Sequence, residues 1–147
     1  MTETIDNLSE LKAELMDRYE IIVGAFDISK SAKIVINSKG VIVLVNQQIE
    51  LMFGYPRVQL IGQSVEMLLP ERLRDVHAKH RVGFWKRPRS RPMGDFKSPL
   101  IGRKKSGDEL EVQIELSPFI TNTDMYTEAV VAFADTAPRV GGDNGDG

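Results

Sequence analysis

Apolar and polar positions divide the chain into a striped first segment, a hairpin that hands over to helices, and three closing strands. Residues 4–24 predict a helix with Asn7 or Ser9 at its start. Leu8, Leu11, Leu15 and Ile22 fall on one stripe at spacings of three, four and seven, with Arg18 where the next apolar residue is expected. Glu10, Lys12, Glu14 and Asp17 take the other side. An interrupted stripe this short is marginal alone and needs a partner surface. That surface is either the chain's own domain or the same helix of a second copy, as in a short coiled-coil seam.

After the polar break Asp27–Ser31, Ile34, Val35 and Ile36 form a first apolar run. Asn37-Ser38-Lys39-Gly40 supplies turn chemistry, with Gly40 able to take positive φ. Val41–Val45 is a five-residue apolar run that suits a buried strand. Asn46 then caps a helix carrying Ile49, Leu51, Met52 and Phe53, which Gly54-Tyr55-Pro56 stops. Pro56–Gly62 is one helical turn, and Ser64 caps another with Met67 and Leu68 turned inward. Pro70 and Glu71 open a longer helix over Glu71–Lys86, with Leu73, Val76, His77, His80 and Phe84 on one face.

The closing strands are 100–103, 110–116 and 126–133. In the second, leucine, valine and isoleucine alternate strictly with polar residues, as on an antiparallel strand covered on one face. Pro118 should end or bulge it. In the third, Ala129, Val131 and Phe133 share a face. The glycine-rich segment 138–147 has nothing to bury and is expected to be disordered. The element order predicts an α+β domain, one antiparallel sheet with helices on one side.

Composition narrows the chemistry. At 147 residues, 41% hydrophobic and 27% charged, the chain is an ordinary folded soluble domain with one core. It has no cysteine, which excludes disulfides, thiolate metal sites and a cysteinyl flavin adduct. The net charge of -2 gives no field that recruits nucleic acid. Eight bases crowd Arg72–Arg91, but without the exposed aromatics or reader helix of a nucleic-acid surface. The patch suits a solvated face or an acidic partner. The first residues lack a signal-peptide pattern and no apolar run approaches 18 residues, so no membrane association and a cytoplasmic location are expected. No zinc motif or nucleophile relay is present, and no enzyme activity is expected.

The stretch from Ile34 to His80 resembles the PAS sensor-domain family. The matching pattern is strand, turn, strand, then N-x-x-x-x-x-x-F-G-Y (Asn46, Phe53, Gly54, Tyr55), an L-I-G segment (Leu60-Ile61-Gly62), and L-x-P-E (Leu68, Pro70, Glu71) before the long helix. Gly102–Pro118 is similar to the family's last hairpin, and the resemblance covers roughly residues 16–137. It implies a five-stranded antiparallel sheet with short helices forming one wall of a pocket. It also implies a non-catalytic sensory role in signal transduction, often as a dimer through an N-terminal helix. The domain plan is then a dimerisation helix over 1–27, a PAS core over 28–137 and a polar tail over 138–147. Leu8, Leu11, Leu15 and Ile22 become the homodimer interface, with a signalling protein as a further partner. The family's usual D-I-T ending is altered here to Asp135-Thr136-Ala137-Pro138.

The pocket candidates are Ile36, Val43, Met52, Met67, Leu73, Val76, Leu100, Leu116 and Val131, all apolar, which suit a packed core as well as a cavity. Two functional readings stand side by side. One is an interaction module without cofactor. The other is a sensor of haem or another small ligand. In haem-binding relatives a histidine on the long helix holds the iron, and His77 is at the matching position, with His80 the poorer candidate. The gas-contacting arginine of those relatives has no counterpart near Ser98. Flavin would call on stacking by Trp85, which serves equally as an anchor for the loop after the helix.

Overall fold

The computed structural model describes residues 2–93 and 100–134, with side chains from residue 6 onward. Asp135-Thr136, the site near Ser98 and the expected disordered tail lie outside the described residues. The elements run α1 (Thr2–Ile28), β1 (Ala32–Asn37), β2 (Ile42–Val45), α2 (Gln47–Phe53), α3 (Arg57–Leu60), a 3-10 turn (Val65–Leu68), α4 (Glu71–Lys86), β3 (Arg91–Pro92), β4 (Leu100–Arg103), β5 (Glu109–Ile120) and β6 (Met125–Phe133). The sheet is antiparallel, in the order β2-β1-β6-β5. The fifth position is shared, because β4 pairs with β5 over Glu109–Val112 and β3 pairs with its Leu116 and Glu115. The sheet has five positions filled by six strands, as the sequence resemblance implies, with the short helices beside it.

Asn46 holds the first half together. It is fully buried and caps α2 through Oδ1, which accepts from the backbone N–H of Ile49 at 3.3 Å and of Lys33 at 3.0 Å. Its Nδ2 donates to the carbonyls of Ser31 at 2.8 Å and Phe26 at 3.2 Å. One amide thus joins the end of α1, the start of β1 and the start of α2. Gly54, at φ 81, closes α2 in the left-handed conformation. Ile49 and Phe53, one turn apart on α2, enter the core with Ile34, Ile42, Val45, Leu60 and Val112.

Three elements differ from the sequence pattern. β2 is an edge strand, not one buried on both faces: Ile42 and Val45 are buried, but Leu44 is 50% exposed. β5 runs through Pro118, which pairs with Thr127 in continuous register. Among the described residues no strand pairs with β5's outer edge beyond Leu116, so a residue without an N–H is tolerated there. Phe133 follows the parity of Val131 but is 62% exposed at the end of β6.

Asn46→Ala should cost about 2–4 kcal/mol in urea unfolding, because four backbone groups lose their buried partner. Asn46→Asp retains the cap acceptor but turns an oxygen toward two carbonyls, and should be no more stable than the alanine variant. Near-wild-type midpoints for both would refute this role.

Candidate functional site: an apolar cavity under α4

A cavity of about 240 Å³ lies between α4, the 3-10 turn and the inner face of the sheet. The sheet contributes Ile34 and Ile36 of β1, Leu100 of β4, Val112, Ile114 and Leu116 of β5, and Ala129 and Val131 of β6. Phe53 reaches it from α2, Val65 and Leu68 from the 3-10 turn, and Leu73, Val76, His77 and His80 from α4. The period-two alternation of β5 and β6 and the three–four spacing of α4 turn these side chains to one space.

Of the expected pocket residues, Leu73, Val76, His77, Leu116, Ile36, Leu100 and Val131 line this cavity. Met52, Met67 and Val43 do not. Met52 and Met67 pack against the outside of the core cluster. On α2 the inward pair is Ile49 and Phe53, which leaves Met52 on the flank. In a 3-10 turn, residues three apart share a face, so Val65 and Leu68 point inward together and Met67 does not. Trp85 is not a lining residue either. It meets Phe84 edge-to-face at 5.6 Å near the end of α4.

One wall of the cavity carries a buried charge cluster that joins His77 to Glu66 and Arg81, neither of which was a sequence-based candidate. Glu66, 8% exposed, receives hydrogen bonds from Arg81 through Nε (3.1 Å) and Nη2 (2.9 Å) and from the Ser64 hydroxyl (2.9 Å). Its Oε2 also lies 2.7 Å from Nδ1 of His77. Burial pushes the Glu66 carboxyl up, but the hydrogen bonds from Arg81, Ser64 and His77 outweigh it and hold the group below the usual carboxylate range. An ionised carboxylate only accepts, so Nδ1 of His77 carries the hydrogen and Nε2 is the ring nitrogen left over. Gly40, at φ 79, borders the same cluster: a Cβ there would collide with the Arg81 guanidinium. The signal available in sequence was the i, i+4 spacing of His77 and Arg81, but nothing local joins them to Glu66, eleven and fifteen residues earlier.

A second polar joint roots α1. Arg57 bonds Asp27 at 2.6 Å and Glu50 at 3.0 Å, and its backbone N–H donates to Glu50 at 2.7 Å. The Arg57 guanidinium beside Glu50 lowers that carboxyl. The stripe residues of α1 stand away from this joint, with Leu8 58%, Leu11 52%, Leu15 54% and Ile22 67% exposed. Among the described residues no group of three or more metal-ligating side chains occurs, and no helix is long and apolar enough to cross a membrane.

This sheet, with its helical cover and apolar cavity, has the architecture that the sequence resemblance implies. The PAS fold family matches residues 20–136, and the chain belongs to that family, a non-catalytic sensory module of signal transduction. Among solved structures it is similar to the PAS domain of an HTR-like protein from Haloarcula marismortui, at TM-score 0.72 and 17% identity over 85% of this chain and 98% of that one. A PAS domain from a two-component sensor histidine kinase follows at TM-score 0.67 and 15% identity, covering 82% and 98%. The PAS domain of the RpfR quorum-sensing receptor from Cronobacter turicensis, in complex with BDSF, aligns at TM-score 0.57 and 13% identity, covering 71% and 94%. At these identities the likeness is one of fold. No curated protein matches the chain.

Because the folded state holds Glu66 below its ordinary value near 4.5, its contribution to stability is complete above that value and is lost as pH falls through the folded one. Urea midpoints measured from pH 6 down to pH 3 should therefore fall less steeply for Glu66→Gln than for wild type. Parallel profiles would assign the acid sensitivity to other carboxylates.

Proposed function

We propose that the chain acts as a homodimeric PAS module, joined through α1, that relays its state to a signalling protein. The observation that carries this is the uncovered apolar surface of α1. Leu8, Leu11, Leu15 and Ile22 follow the seam spacing of a coiled coil, and all are more than half exposed. Met16, Tyr19 and Ile21 add exposed apolar area. Arg18 interrupts the seam and pairs with Glu14 at 4.0 Å on its own helix. Among the described side chains of α1, its last turn is what is tied to the domain, through the Phe26 carbonyl and Asp27. A helix so placed requires cover, and a second copy supplies the same stripe in a self-complementary interface.

A second reading, sensing of a small ligand, is favoured by the cavity. The complex of the RpfR PAS domain with BDSF supports ligand sensing on this fold. Haem and flavin fit poorly. The cavity lies below the roughly 300–1,000 Å³ of ordinary small-molecule sites, and Trp85 is outside it. His77 would offer only Nε2 to an iron, since Nδ1 is held by Glu66.

Sedimentation of the full chain at tens of micromolar should give a dimer. Leu11→Glu or Leu15→Glu should shift it toward monomer by tenfold or more in Kd, about 1.4 kcal/mol or more, with the sheet spectrum unchanged. A monomeric wild type would refute the dimer reading.

A further inference from the structure

We infer that the cavity takes a small uncharged molecule with an apolar body and a single hydroxyl group hydrogen-bonded to Nε2 of His77. This rests on the second reading above, that the cavity is a ligand site.

Size sets the first limit. An apolar cavity of about 150 Å³ stays dry and binds benzene, so about 240 Å³ holds one ring with a short substituent, or a short chain of similar bulk. The lining sets the second. Among the described residues no lysine or arginine lines the cavity, and its only side-chain nitrogens are those of His77 and His80. An anionic headgroup would leave water without meeting a permanent cation among the described lining residues, which is costly. The nearby guanidinium of Arg81 already spends Nε and Nη2 on Glu66.

His77 supplies the recognition. Glu66 holds its ring through Nδ1, and Glu66 is itself fixed by Arg81 and Ser64, so ring position and tautomer are set before any ligand arrives. The His77 side chain is 18% exposed, and Nε2 is its ring nitrogen without a protein partner among the described residues. A hydroxyl both donates and accepts, so it satisfies Nε2 whether or not that nitrogen carries a hydrogen. A hydrocarbon of the same shape leaves it unmet. Sites built to bond a hydroxyl reject the analogue that lacks it. His80, one turn further along α4, is exposed and bonds water without help.

Calorimetric titration of the full chain with 4-ethylphenol, ethylbenzene and 4-ethylbenzoate tests this. The phenol should bind about tenfold more tightly than ethylbenzene, the worth of one buried hydrogen bond, and the benzoate weakest. His77→Phe should bind phenol and hydrocarbon alike, while His80→Ala retains the preference. The imidazole Nε2 nitrogen resonance of the native protein should shift with the phenol and not with ethylbenzene, a readout that needs no variant. Equal binding of phenol and ethylbenzene to the native protein, an unmoved Nε2 resonance or tightest binding of the benzoate would overturn the inference while leaving a ligand cavity. Binding of none of the three would overturn both the inference and the ligand reading beneath it.

Discussion

A single buried amide sets the geometry on which the α1 side of the domain depends. Asn46 has no access to water, and its side-chain donors and acceptor meet backbone groups at the end of α1, around the start of β1 and in the first turn of α2. An amide buried without partners is expensive, so the end of α1, the start of β1 and the start of α2 are placed together or the cost is borne. Arg57 adds a second tie between the same α1 terminus and α2. Phe53, at the far end of α2, forms part of the cavity wall. The root of α1 and the wall of the cavity are therefore two ends of one seven-residue helix.

The cavity persists because α4 is held mainly by polar bonds at its edges. Phe84 is the only buried residue of α4, and Val76 is 53% exposed although it borders the cavity. The helix is fastened by His77 and Arg81 to Glu66, and by Arg72 to Glu109 at the surface. Leu73 and Val76 line a space without filling it. Well-packed interiors close such voids. Here a charge cluster with one favoured geometry holds the wall, and Gly40 has no side chain to disturb it. The same cluster that positions the helix orients His77, one of the two histidines on the cavity wall.

The local signals in the chain were strong where one residue decided the outcome. Asn46 as a cap, Gly54-Tyr55-Pro56 as the stop of α2, the alternation of Leu110–Leu116 and the face shared by Leu73, Val76 and His77 all hold in the fold. These features arise within a turn or a strand, so a single sequence contains their cause. That Leu73, Val76, His77 and Leu116 border the cavity follows from the same local periodicity, which states which face is inward.

Tertiary structure decided what periodicity leaves open. Met52 and Met67 sit on helical faces beside the inward ones, and only packing against the core shows that they flank the cavity. Leu44 is as apolar as its neighbours, yet the edge position of β2 leaves it in solvent. Pro118 stays inside a strand because no described strand needs its missing N–H beyond Leu116. Glu66 carries no local sign of burial. His77 and Arg81, which hold it, lie on another helix, and a buried charge is defined by contacts across space, which a one-dimensional pattern does not record.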